Sequence, residues 1–205
     1  MLPFPVQIPL LAPAAIARPT AAQSQTTTAA SSQIPGDGLN AEQGEVFKVA
    51  EEVIDETTLF YKQGGKWKSG PRPKQHFIFV HGGPGAGKSH IINAINDHAV
   101  QSGGFVLKVA PMASAANLIG GMTIHKASGQ GVARTTAAFS KIKIDGLKLI
   151  YREGMICAII IDEVSAVSPQ LLYDLDKCAR QTMGVPDEAF GGLSVFLFGD
   201  FFQVG

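Results

Sequence analysis

Residues 82–89 read GGPGAGKS, and this segment restricts the possible folds more than any other part of the chain. It fits the pattern G-x-x-x-x-G-K-[ST] in full, and it lies between an apolar run, HFIFVH, and a stretch with helical spacing. Glycines let backbone N–H groups wrap closely around phosphate oxygens, and the following helix directs its positive N-terminus at the same oxygens. The segment therefore predicts a strand, a phosphate-binding loop and a helix in succession. The alternative is a glycine-rich turn without function.

The positions of this loop have expected roles. Lys88 is expected to reach the β- and γ-phosphates of a nucleotide, and the Ser89 hydroxyl is expected to ligate Mg²⁺. The loop as a whole is expected to hold the phosphates, and it comprises Gly82, Gly83, Pro84, Gly85, Ala86, Gly87, Lys88 and Ser89.

The chain around this loop alternates between short apolar runs and helical stretches. Runs at 76–81, 105–110, 155–162 and 193–200 are rich in β-branched and aromatic residues and are too short for helices. Helical spacing is found at 88–101, 113–119, 144–153 and 168–183, and also at 41–57, where Asn40 is a candidate N-cap. Strands that alternate with helices predict an α/β fold, with a mainly parallel sheet covered by helices on both faces.

The first 38 residues differ in composition from the rest. They contain only Arg18 and Asp37 as charged groups and are rich in Pro, Ala, Ser and Thr. Because such a segment buries little apolar surface, we expect 1–38 to be a disordered tail and 39–205 to form the folded domain. An organelle import presequence is the alternative, although a single arginine is few for such a signal.

Charge and cysteine content exclude several classes of protein. The 17 basic residues balance the 17 acidic ones, which excludes a strongly basic nucleic-acid binder but not a local basic patch. Cys157 and Cys178 are too few for a disulfide scaffold and indicate a reducing, intracellular compartment. Since no run reaches the roughly 18 apolar residues of a spanning helix, we expect no membrane partner.

The segment at 62–74, KQGGKWKSGPRPK, is a candidate for nucleic-acid contact, because it carries five cations around Trp67. Cations beside an aromatic ring could grip single-stranded nucleic acid by charge and stacking. The generic composition favours the alternative, a solvated connector without regular structure.

Two adjacent carboxylates, Asp162 and Glu163, follow the apolar run AIII at 158–161. In P-loop NTPases an aspartate at the end of a strand beside the loop holds Mg²⁺, which assigns that role to Asp162. Glu163 is then placed to orient or deprotonate water as a general base. Because many P-loop kinases need no such base, the pair favours nucleotide hydrolysis over phosphoryl transfer to a metabolite. Two ordinary acids at a strand end are the alternative.

Several blocks together resemble the Pif-type DNA helicases of superfamily one, and the match covers about residues 39–203. The blocks are Leu39-Asn40 with Gln43, the P-loop, Asp162-Glu163-Val164-Ser165 with LLYD at 171–174, and Gly199-Asp200-Phe201-Phe202-Gln203. Between them, Ala110-Pro111 and GGMTIH at 120–125 resemble the DNA-contacting region of that family.

The resemblance implies a RecA-like domain with ATP and Mg²⁺ as ligands and specific roles for residues outside the P-loop. Gln43 would recognise adenine, and Gln203 would sense the γ-phosphate and link it to the DNA site. Pro111, Thr123 and His125 would lie near single-stranded DNA, although a packing role for His125 is equally open. Met112 replaces the family's threonine after that proline, which weakens the expected phosphate grip there.

The resemblance also sets expectations for the protein as a whole. It implies translocation on single-stranded DNA in the 5′-to-3′ direction, unwinding of duplexes or junctions, and roles in DNA repair, recombination and telomere maintenance. A nuclear location is expected, with the mitochondrion as the alternative. We expect this chain to be the N-terminal part of a helicase, with 39–205 as a partial first motor domain whose sheet is incomplete at its C-terminus and which lacks the family's second motor domain and its arginine. An ATP- or DNA-binding module without turnover and a small-molecule P-loop kinase remain the other hypotheses.

Overall fold

Six parallel strands form one sheet in the computed structural model, which describes residues 6–10, 36–129, 141–152 and 154–200. The strands are β1 (Val6–Leu10), β2 (Phe77–Gly82), β3 (Phe105–Ala110), β4 (Met122–Thr123), β5 (Ile156–Ile161) and β6 (Ser194–Gly199). Their order across the sheet is β1-β2-β6-β5-β3-β4, and every pairing is parallel.

Helices connect these strands and cover the sheet. They are α1 (Ala41–Lys62), α2 (Lys88–Gln101), α3 (Ala113–Leu118), α4 (Ile124–Ala127), α5 (Lys141–Tyr151) and α6 (Pro169–Met183). Short 3₁₀ turns lie at Val164–Ala166 and Ala189–Gly192. In the described part of the chain, no helix combines the length and the apolar character that a bilayer crossing needs.

Two apolar clusters lie on opposite faces of the sheet. One packs α1 and α2 against β2 and β6, with Ile54, Ile91 and Phe196 fully buried. The other packs α4, α5 and α6 against β3 and β5, with Tyr151 and Leu175 fully buried. Because both faces are covered, every residue of β5 is buried, which explains its unbroken apolar sequence. The predicted α/β class is confirmed.

The predicted elements agree closely with those observed. The strands and α2 differ from the predicted bounds by at most one residue, whereas α1 extends to Lys62 and α5 begins at Lys141. The extension of α1 has a tertiary cause, because Tyr61 in its last turn donates a hydrogen bond to the Ile156 carbonyl oxygen at 3.2 Å. Two elements, β4 and α4, are too short to produce a period in the sequence.

The N-terminal segment requires a correction. We expected all of 1–38 to be disordered, but Val6–Leu10 forms β1, which pairs in parallel with β2 from Val6 opposite Ile78 to Leu10 opposite Gly82. Residues 36–38 form a turn, and residues 1–5 and 11–35 lie outside the described part of the chain. Pairing with an available sheet edge gives order to a segment whose composition alone does not predict it.

The connector at 62–74 also differs from both interpretations. Trp67 is only 6% exposed, its indole Nε1 donates to the Gly191 carbonyl oxygen at 2.8 Å, and its ring stacks on Tyr61. Arg72 pairs with Glu188 nearby. Trp67 is therefore part of the core, so this ring is not available for base stacking, and the favoured interpretation of a solvated connector is wrong for Trp67.

Replacing Trp67 by Phe tests this assignment. The change removes the only indole donor of the chain and leaves the buried Gly191 carbonyl oxygen without that bond, so the free energy of unfolding should fall by about 1–3 kcal/mol. Urea denaturation measures it, with the exposed Lys66→Ala as control, for which we expect a change within about 0.5 kcal/mol. Equal stabilities of the two variants would contradict a structural role for Trp67.

Candidate nucleotide-binding site

The glycine-rich loop leaves the carboxyl end of β2 and enters α2 at Lys88. Gly85 and Gly87 have φ values of 75° and 81°, a left-handed conformation that favours glycine. Gly87 occupies the N-cap of α2 and provides no side-chain cap, so no capping side chain competes with an anion for the N–H groups at the start of the helix. The loop has the conformation of a phosphate-binding nest.

The side chain of Lys88 folds back over this loop. Its Nζ donates to the carbonyl oxygens of Gly82 at 2.6 Å and of Gly83 at 3.1 Å. Ser89 is exposed at the next position, where its hydroxyl is accessible to a ligand. Both predicted side chains therefore lie at the mouth of the loop, and a phosphate group would offer Lys88 charged acceptors in place of the two carbonyl oxygens.

The carboxylate pair lies at the end of β5. Asp162 is 6% exposed, and its Oδ1 accepts a hydrogen bond from the Glu163 backbone N–H at 3.0 Å. Burial raises the pKa of Asp162 above its ordinary value, and the charge of Glu163 adds to that effect, while the Glu163 N–H and the positive charge of Lys88 oppose it. A buried carboxylate under the influence of the P-loop lysine is suited to bind a cation.

Glu163 has an unusual backbone conformation. Its φ of 52° and ψ of 45° are left-handed, which is uncommon for a residue other than glycine, asparagine or aspartate. This conformation places Glu163 directly before the 3₁₀ turn Val164–Ala166 and leaves it half-buried beside Asp162. Strain of this kind is concentrated at functional sites.

A third carboxylate joins the site, and sequence reasoning assigned it no role. Asp200 follows β6, is 5% exposed, and brings its Oδ2 to 3.8 Å from the position that a Cβ on Gly83 would occupy. The resemblance included Asp200 within GDFFQ, but the signal that could have found it is its place at the end of the strand between β2 and β5.

Gln43 reaches the loop from the first turn of α1. Its Nε2 donates to the Ala86 carbonyl oxygen at 3.0 Å, and its Oε1 accepts from the Asn40 backbone N–H at 3.0 Å. Asn40 reciprocates, because its Oδ1 accepts from the Gln43 N–H at 2.9 Å, which completes a capping box. The structure thus brings Gln43 to the P-loop, with both ends of its amide engaged.

The predicted DNA-contacting residues lie together at the same edge of the sheet. Pro111 follows the end of β3, and Ala110 pairs with Thr123 of β4. Thr123 caps α4, because its Oγ1 accepts from the Lys126 N–H at 3.3 Å. His125 and Lys126 are exposed, so a packing role for His125 is not supported.

A family model described as a PIF1-like helicase matches residues 38–205, which is most of the chain. The chain belongs to the PIF1-like helicase family. It is 36% identical to the ATP-dependent DNA helicase RRM3 of Saccharomyces cerevisiae over 134 residues, which are 64% of this chain and 18% of that protein. It is 33% identical to the ATP-dependent DNA helicase PIF1 of Trypanosoma brucei brucei over 132 residues, which are 64% of this chain and 13% of the relative.

The fold of this chain is also similar to that of solved Pif1 helicase structures. The Pif1 helicase from Bacteroides, crystallised with ADP-AlF3 and single-stranded DNA, superposes with a TM-score of 0.54 at 26% identity. That comparison covers 80% of this chain and 32% of the Bacteroides chain. The PIF1-like chain therefore has the RecA-like α/β fold of these helicases and spans less than a fifth of the curated relatives named above.

One predicted site residue of this PIF1-like chain lies outside the described residues. Gln203 follows Asp200 by three positions, and the structure describes the chain only up to residue 200. Its role as a γ-phosphate sensor stays a prediction.

Asp162→Asn tests the electrostatic cost of the site. Because burial raises the Asp162 pKa in the folded protein, the unfolded chain ionises first as pH rises above the ordinary value of 3.8. The free energy of unfolding of the native chain therefore falls as pH rises from about 3.8 through the raised pKa of Asp162 in the folded protein. That of Asp162→Asn does not fall for this reason, because an amide does not ionise. Urea denaturation in EDTA should show Asp162→Asn gaining stability over the native chain between pH 4 and pH 7.

The control is Asp187→Asn, which removes an exposed carboxylate from a loop. A pH-independent difference between Asp162→Asn and the native chain would contradict the burial of a charge at this position.

Proposed function

We propose that this chain is the ATP-binding part of a DNA helicase motor, in which ATP hydrolysis drives translocation on single-stranded DNA and duplex unwinding. The observation that supports the proposal most strongly is the meeting of the P-loop with Asp162 and Glu163 at one edge of the sheet. The Bacteroides helicase of the same family, which was crystallised with ADP-AlF3 and single-stranded DNA, supports the choice of ligands.

In this proposal Lys88, Glu163 and Gln203 each have a separate role in ATP hydrolysis. Lys88 exchanges the Gly82 and Gly83 carbonyl oxygens for the β- and γ-phosphates, where its charge is worth more. Glu163 accepts a proton from the attacking water, a task for which its position beside the metal ligand is suited. Gln203 senses the γ-phosphate.

The donor set fits magnesium. Mg²⁺ prefers hard oxygen ligands and is usually held by one or two protein oxygens together with substrate phosphates. The Ser89 hydroxyl and the Asp162 carboxylate provide such oxygens, and the described residues contain no cluster of three or more acidic, histidine or cysteine side chains that could hold an ion alone. When bound, Mg²⁺ would neutralise charge on the β- and γ-phosphates.

The DNA path in this proposal runs over Pro111, Thr123 and His125, which lie at the edge that carries the nucleotide site. Lys126 adds an exposed cation that the sequence analysis did not single out. Contact with DNA places the protein where DNA is found, so we propose the nucleus as its location, with the mitochondrion as the alternative. Junction preference, polarity and roles in repair, recombination and telomere maintenance extend the same proposal.

Lys88→Ala and Glu163→Gln separate nucleotide binding from hydrolysis. Loss of a charged contact to phosphate should weaken Mg-ATP binding by about 10- to 100-fold in Lys88→Ala. Glu163→Gln should retain binding and lower turnover by about 100-fold or more, the usual worth of a general base. Fluorescent ATP titration and phosphate release, with and without single-stranded DNA, measure both, with the exposed Lys177→Ala as control.

Other outcomes would replace the proposal. ATP binding whose hydrolysis never responds to DNA would indicate a binding module, and transfer of phosphate to a small metabolite would indicate a kinase. Failure of the native chain to bind ATP would overturn the nucleotide site.

Lys126→Ala tests the proposed DNA path. If Lys126 contacts one phosphate, the slope of log affinity for single-stranded DNA against log salt should become shallower by about 0.7. ATP binding should not change. Lys48→Ala removes an exposed cation of α1 that lies outside both segments considered for DNA contact, and it serves as the control. Identical salt slopes for the native chain and Lys126→Ala would remove Lys126 from the path.

A further inference from the structure

A cavity of about 390 Å³ opens at the end of α1, where the chain enters the connector at 62–74. Its lining includes the Phe60 ring, the backbone of Gly64 and Gly65, and the side chain of Lys66. The volume is within the range of sites that hold a small molecule or one group of a larger ligand. Gln43, at the P-loop end of α1, lies about 30 Å away at 1.5 Å per residue, so this cavity is separate from the nucleotide site.

The backbone around the cavity is held in place without any ligand. Gly64 is left-handed with a φ of 80°, and its N–H donates to the Tyr61 carbonyl oxygen at 2.9 Å. The Gly65 N–H donates to the Phe60 carbonyl oxygen, also at 2.9 Å. These two bonds form a Schellman motif, which occupies carbonyl oxygens in the last turn of α1. The wall of the cavity is therefore preformed, and the lysines beside it are not needed to cap the helix.

The surface around the cavity is basic. The sequence contains no acidic residue from 57 to 96, whereas the connector alone carries five cations. Arg72 is engaged by Glu188, but Lys62 and Lys66 are exposed on either side of the two glycines. Two exposed cations that flank an open cavity favour an anionic ligand.

Phe60 supplies an aromatic surface inside this basic region. Its ring is half-buried and meets Trp67 edge to face, with the ring centroids 5.8 Å apart. A Cβ on Gly65 would lie 2.4 Å from the Phe60 ring, so the absence of a side chain there lets the connector pass close to the ring. An aromatic ring beside cations is the combination that binds single strands, because any base can stack on it while the cations hold phosphates.

We propose that this cavity is a second contact site for single-stranded DNA: one base enters it against the Phe60 ring, and Lys62 and Lys66 hold the adjoining phosphates. A base in a duplex is paired and stacked on both sides, so the site selects single strands. The inference goes beyond the helicase function proposed above, which requires no contact at this end of α1.

Trp67 is the only tryptophan of the chain, and its contact with Phe60 makes its fluorescence a probe of the cavity. A short oligothymidine that contains 5-bromouracil, a heavy-atom quencher, should quench this fluorescence to saturation in the native chain. The quenching should persist in Lys126→Ala, which alters the DNA path at the other end of the domain. Binding of the oligonucleotide, detected by anisotropy, without any quenching would overturn the proposal.

The double variant Lys62→Ala/Lys66→Ala tests the phosphate contacts. If each lysine holds one phosphate, the slope of log affinity against log salt, from the quenching titrations, should become shallower by about 1.4. Lys48→Ala/Lys177→Ala removes two exposed cations elsewhere and is the control for the loss of charge, with the native slope expected. Equal slopes for the two double variants would overturn the assignment of Lys62 and Lys66.

Phe60→Leu tests the base contact. It removes the ring but no charge, so the affinity for labelled oligothymidine, measured by anisotropy, should fall by about 5-fold while the salt slope stays unchanged. Phe77→Leu removes another half-buried ring, at the start of β2, and should keep the native affinity. Thermal unfolding checks that both variants are folded. Native affinity in a folded Phe60→Leu would overturn the entry of a base into the cavity.

The same titrations separate this inference from the proposed function. If the native chain binds no single-stranded DNA, the inference and the DNA part of the proposed function fail together. If it binds DNA and only Lys126→Ala weakens the binding, the inference fails alone. Quenching that depends on Lys62 and Lys66 in a chain that does not bind ATP would support the cavity and overturn the proposed nucleotide site alone.

Discussion

The site depends on parallel pairing of the four central strands, because that pairing aligns their carboxyl ends at one edge of the sheet. His81 of β2 lies opposite Gly199 of β6, and Ile161 of β5 pairs with both Leu197 and Val109. The P-loop, Asp162 and Asp200 each follow one of these strand ends. Since the central strands are covered on both faces, shifting one of them would expose or misplace many apolar side chains at once, and the alignment is therefore firmly held.

Two kinds of contact stabilise the loop at this edge, and only one of them can be replaced by a phosphate ligand. Lys88 holds the Gly82 and Gly83 carbonyl oxygens by bonds that a phosphate can replace, whereas Gln43 holds the Ala86 carbonyl oxygen from a helix that does not belong to the loop. The first contact keeps the lysine in place until a ligand arrives, and the second keeps the peptide itself in place. Asp162 and Glu163 reduce the stability of the same edge, Asp162 through its buried carboxylate and Glu163 through its left-handed backbone. Such destabilising features are typical of sites selected for chemistry over stability.

The opposite edge of the sheet is fastened by the connector that precedes β2. Gln75 donates to the Ala189 and Leu193 carbonyl oxygens, Trp67 donates to Gly191, and all three acceptors precede β6. Between the two edges runs α1, whose 22 residues span about 33 Å at 1.5 Å per residue. One helix, α1, thus connects the hydrogen bonds around Trp67 at one edge of the sheet with the contact between Gln43 and the P-loop at the other.

The sequence by itself determined the fold class, the P-loop and the Asp162–Glu163 pair, because strand runs, helix periods and a strand–loop–helix motif are local patterns. The tertiary structure decided the burial of Trp67, the approach of Asp200 to Gly83 and the partners of the Gln43 amide. It also decided the pairing of Val6–Leu10 with β2, which no local signal announces. Each of these depends on residues far apart in the chain meeting across the sheet, and a hydrogen bond over such a separation leaves no period in the sequence.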